Sequence, residues 1–250
     1  MSDADHKQAP DARKTDGESL SLSWDEDGQP FSEGFGDHFY SKNDGRAECG
    51  HVFINANALP SRFAAGGTIR IGELGFGTGL NFCETYRQWK AARLPGAMLE
   101  FTSFERYPLK ASDIDRALSR WIEIDSERDA LVRLWPPIPS ATFSLSIDDQ
   151  TRLTISCGDA LEQLSRLDQT FNAWFLDGFA PSRNPDMWSE DLLRHVFRLT
   201  ADGGTFGTYT AAGFVRRNLA AAGFIVERLP GFAGKREMLA GRRCNATMPK

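Results

Sequence analysis

Four acidic residues, Glu73, Glu105, Asp159 and Asp177, stand at or just beyond the ends of short apolar runs in this 250-residue chain. Parallel sheets place ligands beyond the carboxyl ends of their strands, so acids there can accept hydrogen bonds from ligand hydroxyls and amines. The first acid opens Glu73-Leu74-Gly75-Phe76-Gly77-Thr78-Gly79-Leu80-Asn81, after the β-branched run Thr68-Ile69-Arg70-Ile71 and before a helix-like segment from Leu80 to Ala92. Strand, glycine-rich turn and helix together bring backbone N–H groups to a nucleotide-like ligand. A dinucleotide fingerprint wants glycines at its first, third and sixth positions. Gly75 and Gly77 fit, but the sixth position is Leu80 and the third glycine comes one residue early, at Gly79. Alone, such a turn is as readily a ligand-free βα connection. Glu105 lies about where a ribose-binding carboxylate belongs, and Asp159 could accept from an adenine amino group. A lone strand-end acid is often only a helix cap, the simplest reading of Asp159 before Ala160. Asp177 precedes no helix directly.

The stretch after Asp177 reads Gly178-Phe179-Ala180-Pro181-Ser182-Arg183-Asn184-Pro185-Asp186-Met187-Trp188. Two prolines stiffen it, and Phe179 offers a planar face on which a base could stack. Trp188 reads better as a buried structural aromatic. The four cysteines have no CxxC spacing and the four histidines no close cluster, so no metal and no disulfide frame is expected. No run reaches the length of a membrane span and the N-terminus has no apolar signal core, so a cytoplasmic protein is expected, with no membrane partner. The net charge of −5 comes from residues 1–30, with eight acids and three bases; residues 205–250 hold eight bases and two acids. Taken alone, that basic portion is a solvated surface; it can also meet a polyanion.

Around these residues the chain alternates strand and helix. Residues 1–28 are expected as a disordered tail and residues 29–250 as one domain, with an N-terminal extension over 29–66 and a Rossmann-like core over 67–245. Strands are expected at 69–74, 98–104, 152–156, 173–176 and 205–210. Helices are expected at 81–93, 109–121, 160–167, 190–199 and 212–221. Residues 143–147 and 152–156 read as an inserted hairpin supplying the third core strand, and 224–229 with 237–239 as a closing antiparallel pair. This α/β pattern predicts a largely parallel sheet covered on both faces.

The E-x-G-x-G-x-G turn is similar to the first motif of class I S-adenosylmethionine (SAM) methyltransferases, whose ligand has no pyrophosphate and carries an ammonium that a carboxylate can meet. Further segments extend the likeness: Phe39-Tyr40-Ser41-Lys42-Asn43-Asp44-Gly45, then Glu48 and His51-Val52-Phe53; Ser103-Phe104-Glu105-Arg106-Tyr107-Pro108-Leu109; Trp174-Phe175-Leu176-Asp177-Gly178-Phe179-Ala180-Pro181; and Gly231-Phe232, Gly234-Lys235-Arg236-Glu237-Met238-Leu239 and Gly241. Over residues 30 to 243 the chain resembles the methyltransferase portion of the MnmC family. That family makes 5-methylaminomethyl-2-thiouridine at the tRNA wobble position from the 5-aminomethyl precursor.

The resemblance implies a Rossmann-like class I methyltransferase fold. It implies SAM as cofactor, held by Tyr40, Lys42, Glu73, Gly75, Phe76, Gly77, Thr78, Gly79, Asn81, Glu105, Asp159, Ala160 and Asp177. Asp177 is the expected catalytic residue. Phe179, Pro181, Arg183, Arg216, Lys235 and Arg236 are expected at the tRNA anticodon region. A flavin-dependent oxidase domain follows this portion in the bifunctional enzyme, so no flavin is expected here; that oxidase or other aminomethyl-forming enzymes would be separate partners. A small-molecule amine methyltransferase would share every SAM feature without needing the basic C-terminal face. A binding-only relative would usually have lost the glycines or acids.

Overall fold

The computed structural model describes residues 21–244 apart from 138 and 140. The extension begins with a small antiparallel meander, β1 (Leu22–Trp24), β2 (Pro30–Ser32) and β3 (Asp37–His38). The expected tail over 1–20 lies outside the described residues. Residues 21–28, counted with that tail, instead form β1 and its turn, pinned by paired register between Leu22 and Ser32. Next come α1 (Gly45–Cys49), a wider helical turn over Gly50–Asn55, and α2 (Leu59–Ala65). Asp44 starts α1 as an N-cap, accepting from the Arg46 and Ala47 amides at 3.1 Å each.

The core runs β4 (Thr68–Leu74), α3 (Leu80–Ala92), β5 (Met98–Glu105), α4 (Ala111–Leu118), α5 (Asp125–Leu134), β6 (Phe143–Asp148), β7 (Thr151–Cys157), α6 (Ala160–Ser165), β8 (Phe171–Leu176), α7 (Glu190–Arg198), β9 (Thr200–Thr208), α8 (Gly213–Ala222), β10 (Ile225–Pro230) and β11 (Glu237–Arg242). One eight-stranded sheet has the order β10-β11-β9-β8-β4-β5-β7-β6. Strands β4, β5, β7, β8 and β9 are parallel, while β6, β10 and β11 run antiparallel to their neighbours. From β4 the chain winds outward through β5 and β7, then returns to β8 on the other side. This reversal opens a crevice beyond the carboxyl ends of β4 and β8.

The sheet is buried on both faces, which explains the unbroken apolar run of β8. On one face, Phe82, Phe101 and Phe175 pack with Val52, Phe53 and Phe63 of the extension and with Leu131 of α5. On the other, Trp174, Trp188, Leu193, Val196 and Leu219 form a second cluster under α6, α7 and α8. The extension is also tied to the sheet by hydrogen bonds: Asn57 Nδ2 donates to Trp174 O at 3.2 Å, and Thr205 Oγ1 donates to Asn57 Oδ1 at 2.6 Å.

The hairpin, the third core strand and the closing pair stand where the sequence places them. Two elements differ. Helix α5 falls where no element was expected, because half of its ten residues are charged and it buries only Leu131 and Glu127 fully, the latter paired with Lys90. Strand β9 starts at Thr200, not Thr205. Ala201-Asp202-Gly203-Gly204 reads as a helix stop but forms the irregular start of the strand, with a register shift opposite Phe171 to Ala173.

Gly207 marks where extension and sheet meet. A Cβ there would stand 2.2 Å from the Val52 carbonyl oxygen. Gly207→Ala is therefore expected to destabilise the fold by about 1–3 kcal/mol, the usual cost of overpacking. Urea denaturation should show a lower midpoint with little change in slope.

Candidate active site

The turn after β4 requires its glycines. Gly75, Gly77 and Gly79 all have positive φ, at 82°, 53° and 79°. A side chain on Gly75 would contact Gly178 at 3.5 Å, and one on Gly79 would meet Phe76 and Leu131 at 2.9–3.0 Å. The turn is braced from the next strand. The Gly77 amide donates to Glu105 Oε2 at 3.0 Å, and the Tyr107 amide donates to Oε1 at 2.7 Å. Both Glu105 oxygens are thus oriented by backbone, and the side chain faces the crevice.

The crevice is a cavity of about 1340 Å³. Tyr40, Gly75, Phe76, Gly77, Thr78, Asn81, Glu105, Asp159, Ala160, Asp177, Phe179, Arg183 and Lys235, all expected at the site, line it. Asp159 also caps α6, accepting from the Glu162 amide at 3.1 Å, so the cap reading holds beside the cavity position. The Phe76 ring is turned into the core and stacks on Trp135.

Five expected residues fall elsewhere. Glu73 is fully buried behind Asn81 and does not reach the cavity surface. Gly79 sits one step behind the wall, as the residue that starts α3. The Lys42 ammonium pairs with Asp25 at 3.2 Å, away from the cavity. Arg216 is solvent-exposed on α8, whose inward positions are Val215 and Leu219. Arg236 lines a separate small depression with Arg228 and Glu237. A sixth, Pro181, shapes the loop without lining the cavity.

At the end of β8, Asp177 Oδ1 accepts the Gly178 amide at 2.8 Å and Oδ2 accepts Asn81 Nδ2 at 2.7 Å. The same Asn81 nitrogen donates to Glu73 Oε1 at 2.9 Å. Burial pushes the Asp177 carboxyl up to about 7, against the lowering effect of its two donors, with Glu48 opposing and Lys235 assisting ionisation. Glu73 is driven well above the usual range by burial, and the hydrogen bond from Asn81 does not offset it.

The extension supplies the opposite wall. Phe35 stacks on Phe179 with centroids 4.6 Å apart, and Phe39 meets the same ring edge-on at 5.2 Å. Asp37 Oδ2 accepts the Ala180 amide at 3.0 Å, tying this wall to the loop after β8. Lys235 Nζ lies 2.6 Å from Glu48 Oε1 and 4.9 Å from the Tyr209 ring centre, and Tyr209 donates to Gly178 O at 2.9 Å. Trp188 is fully buried and donates to Phe179 O at 3.2 Å, holding the loop from beneath. Phe35, Asp37, Phe39, Glu48 and Tyr209 were not among the expected site residues. Phe39 and Glu48 lie inside the quoted N-terminal likeness, the one signal that could have found them.

The sequence model of a family described as S-adenosyl-L-methionine-dependent methyltransferase matches residues 122–244. The chain is 47% identical over 234 residues to the tRNA 5-methylaminomethyl-2-thiouridine biosynthesis bifunctional protein MnmC of Pseudomonas paraeruginosa, covering 91% of this chain and 35% of that protein. The chain belongs to this methyltransferase family. The likeness falls on the methyltransferase part of MnmC. The MnmC protein of Pseudomonas aeruginosa is 46% identical over 231 residues, with 91% and 35% covered. The methyltransferase thus spans about a third of the length of the curated relatives it matches. A crystal structure of MNMC2 from Aquifex aeolicus shares the fold, with a TM-score of 0.73 at 19% identity over 94% of this chain and 74% of that one. The cavity suits the cofactor of the family: it joins a glycine turn open to close backbone approach, a backbone-held carboxylate at Glu105 and the strand-end acids Asp159 and Asp177. Among the described residues, no helix is long and apolar enough to cross a membrane.

Two outcomes are expected. Gly77→Val would force a β-branched residue into a left-handed conformation, with its Cβ 3.2 Å from Phe39. It should abolish SAM binding by calorimetry while far-UV circular dichroism stays native; near-wild-type affinity would remove the turn from the cofactor site. The second concerns pH. A native carboxyl raised from 3.8 to about 7 binds more protons than the unfolded chain between those values, so its stabilisation is whole below about pH 4 and lost by about pH 7. Asp177→Asn has no such proton to lose. Its melting temperature relative to wild type should rise across that window and level off above it.

Proposed function

We propose that this methyltransferase N-methylates the primary amine of 5-aminomethyl-(2-thio)uridine at the tRNA wobble position, giving 5-methylaminomethyl-(2-thio)uridine. The observation that carries the reading is Asp177: a carboxyl at the cavity wall, oriented by Asn81 and Gly178, ionising near neutral pH and flanked by the Phe179 ring. The names of the relatives, which specify 5-methylaminomethyl-2-thiouridine biosynthesis in tRNA, support the substrate.

When bound, SAM supplies a methyl group already activated by its sulfonium. The chain's own tasks are alignment and keeping the acceptor amine unprotonated. Alkylammonium has no lone pair and predominates near neutral pH. In this reading Asp177 accepts a hydrogen bond from the amine and takes its proton; a carboxyl with its midpoint near 7 is matched to that transfer. The neutral amine would then be presented to the methyl group that bound SAM supplies, with Asp177 and Phe179 fixing its approach. Glu105 would accept from the ribose hydroxyls, and Asp159 with Ala160 would border the adenine. Gly75, Phe76, Gly77 and Thr78 would form the backbone wall, and Tyr40 would cover the methionine end. Phe179 would stack on the target base, and Arg183 and Lys235 would meet the RNA around it. The free aminomethyl group would come from a separate oxidase or aminomethyl-forming enzyme, in the cytoplasm.

Methyl transfer from radiolabelled SAM to tRNA carrying 5-aminomethyluridine tests this directly. Wild-type protein should label that nucleoside, and raising salt should weaken tRNA binding steeply. Asp177→Ala should lower the single-turnover rate by about 10²–10⁴-fold, the usual scale for a lost general base. Asp177→Asn should be nearly as poor, because its amide orients but takes no proton. Near-wild-type rates in Asn would make Asp177 a positioner only. Labelling of small amines but not tRNA would favour the small-molecule reading instead.

A further inference from the structure

Glu73 is the site acid whose placement differs most from a cofactor ligand. It is fully buried, and its reach toward the cavity ends at Asn81. An amide nitrogen carries two hydrogens. Asn81 gives one to Glu73 Oε1 at 2.9 Å and one to Asp177 Oδ2 at 2.7 Å, so a single side chain bridges two carboxyl groups. The other Glu73 oxygen, Oε2, is buried with no hydrogen-bond partner among the described residues. Neither has Ser103 Oγ, on the residue facing Glu73 across the β4–β5 register. A carboxylate so placed, with an orphan oxygen and no cation paired to it, favours its neutral form. The charged and titratable groups that bear on Asp177 and its surroundings are Glu73 of β4, Glu48 and Cys49 of α1, Glu105 of β5, Asp37 of β3, Tyr209 after β9, and Lys235 between β10 and β11, itself paired with Glu48.

We propose that Glu73 is a positioning residue for methyl transfer, acting through Asn81 on the orientation and charge of Asp177 and not on the cofactor. The inference rests on the reading of Asp177 as the holder of the acceptor amine. A neutral Glu73 anchors Asn81 with its nitrogen toward Asp177 and adds no second negative charge beside it. Without that anchor the amide is free to turn its oxygen toward Asp177, where two acceptors repel.

The test uses Glu73→Ala, Glu73→Gln and Asn81→Leu in the full chain, with three readouts: SAM affinity by calorimetry, single-turnover methyl transfer across pH, and ¹³C NMR titration of the Asp177 carboxyl in protein without substrate. Glu73→Ala should keep SAM affinity close to wild type and lower the transfer rate by about ten- to a hundredfold, the scale of a misplaced reacting group. The Asp177 midpoint should move up, since a donor to its ionised form is lost. Glu73→Gln, which retains a neutral acceptor for Asn81, should recover most of the rate. Asn81→Leu should move the Asp177 midpoint in the same direction. Adding Glu73→Ala to it should move the midpoint no further, as expected when one residue acts through the other. Should Glu73→Ala fail to fold, the Gln and Leu variants still decide. Loss of SAM affinity in Glu73→Gln with an unmoved Asp177 titration would make Glu73 a cofactor ligand and overturn the proposal. So would unchanged rate and titration in Glu73→Ala. A wild-type protein that methylates no aminomethyluridine would refute the functional reading alone, because the NMR titration reads the coupling without substrate.

Discussion

Negative charge crowded at one edge of a sheet is the constraint around which this molecule is organised. Glu73, Glu105, Asp159, Asp177 and Glu48 all lie near the carboxyl ends of the central strands, where they would repel one another if all were ionised and dry. Each is handled by different means. Glu105 is given two backbone amides. Asp159 stays at the surface, as a helix cap 3.7 Å from Arg106. Glu48 takes Lys235. Asp177 receives two donors but is buried enough to ionise only near neutrality. Glu73 takes Asn81 as its donor, and burial drives its carboxyl well above the usual range. The outcome is a row of carboxyl groups in unlike surroundings, with Glu48, Glu105, Asp159 and Asp177 lining the cavity and Glu73 buried behind it.

The extension turns this edge into an enclosed site. Its π-stacked and edge-on phenylalanines stand opposite the loop after β8, and Asp37 holds that loop by a backbone amide. The same segment fills the core beneath, with Phe53 stacked on Phe175 at 5.1 Å. One stretch of chain therefore provides both hydrophobic burial for the sheet and the aromatic side of the cavity, which links the stability of the fold to the shape of the site.

Much of this was legible in the residues because local chemistry and global fold agree. The apolar run of β8 suits a strand buried on both faces, and the glycines at 75 and 77 sit where only a positive φ closes the turn. What the residues did not reveal depends on tertiary context. Half of the ten positions of α5 are charged, and its apolar residues cluster at 130–134 instead of marking a face along the whole helix. Lys42 looks like a cavity cation until Asp25, from the strand region taken for tail, claims it. The basic excess after residue 205 is real in composition but divided in space: Lys235 faces the cavity, Arg236 a separate depression and Arg216 open solvent. Glu73 matches a known turn motif, yet strand alternation sends its side chain inward, behind Asn81.

The close fit of Gly207 against the Val52 carbonyl bears on how the chain reaches this state. The extension is made before the sheet it docks on, and its contact on β9 follows some 150 residues later. Contacts of such long range raise the contact order and slow folding. Phe63 waits for Trp89 of α3 and Phe53 for Phe175 of β8, and until those partners are made the segment is a sticky apolar stretch, the kind that chaperones bind during synthesis. The enclosed cavity can therefore form only late, once Phe179 after β8 and Tyr209 after β9 have been made. A chain cut short before the loop after β8 lacks the Phe179 ring on which Phe35 and Phe39 pack, and with it the aromatic side of the cavity.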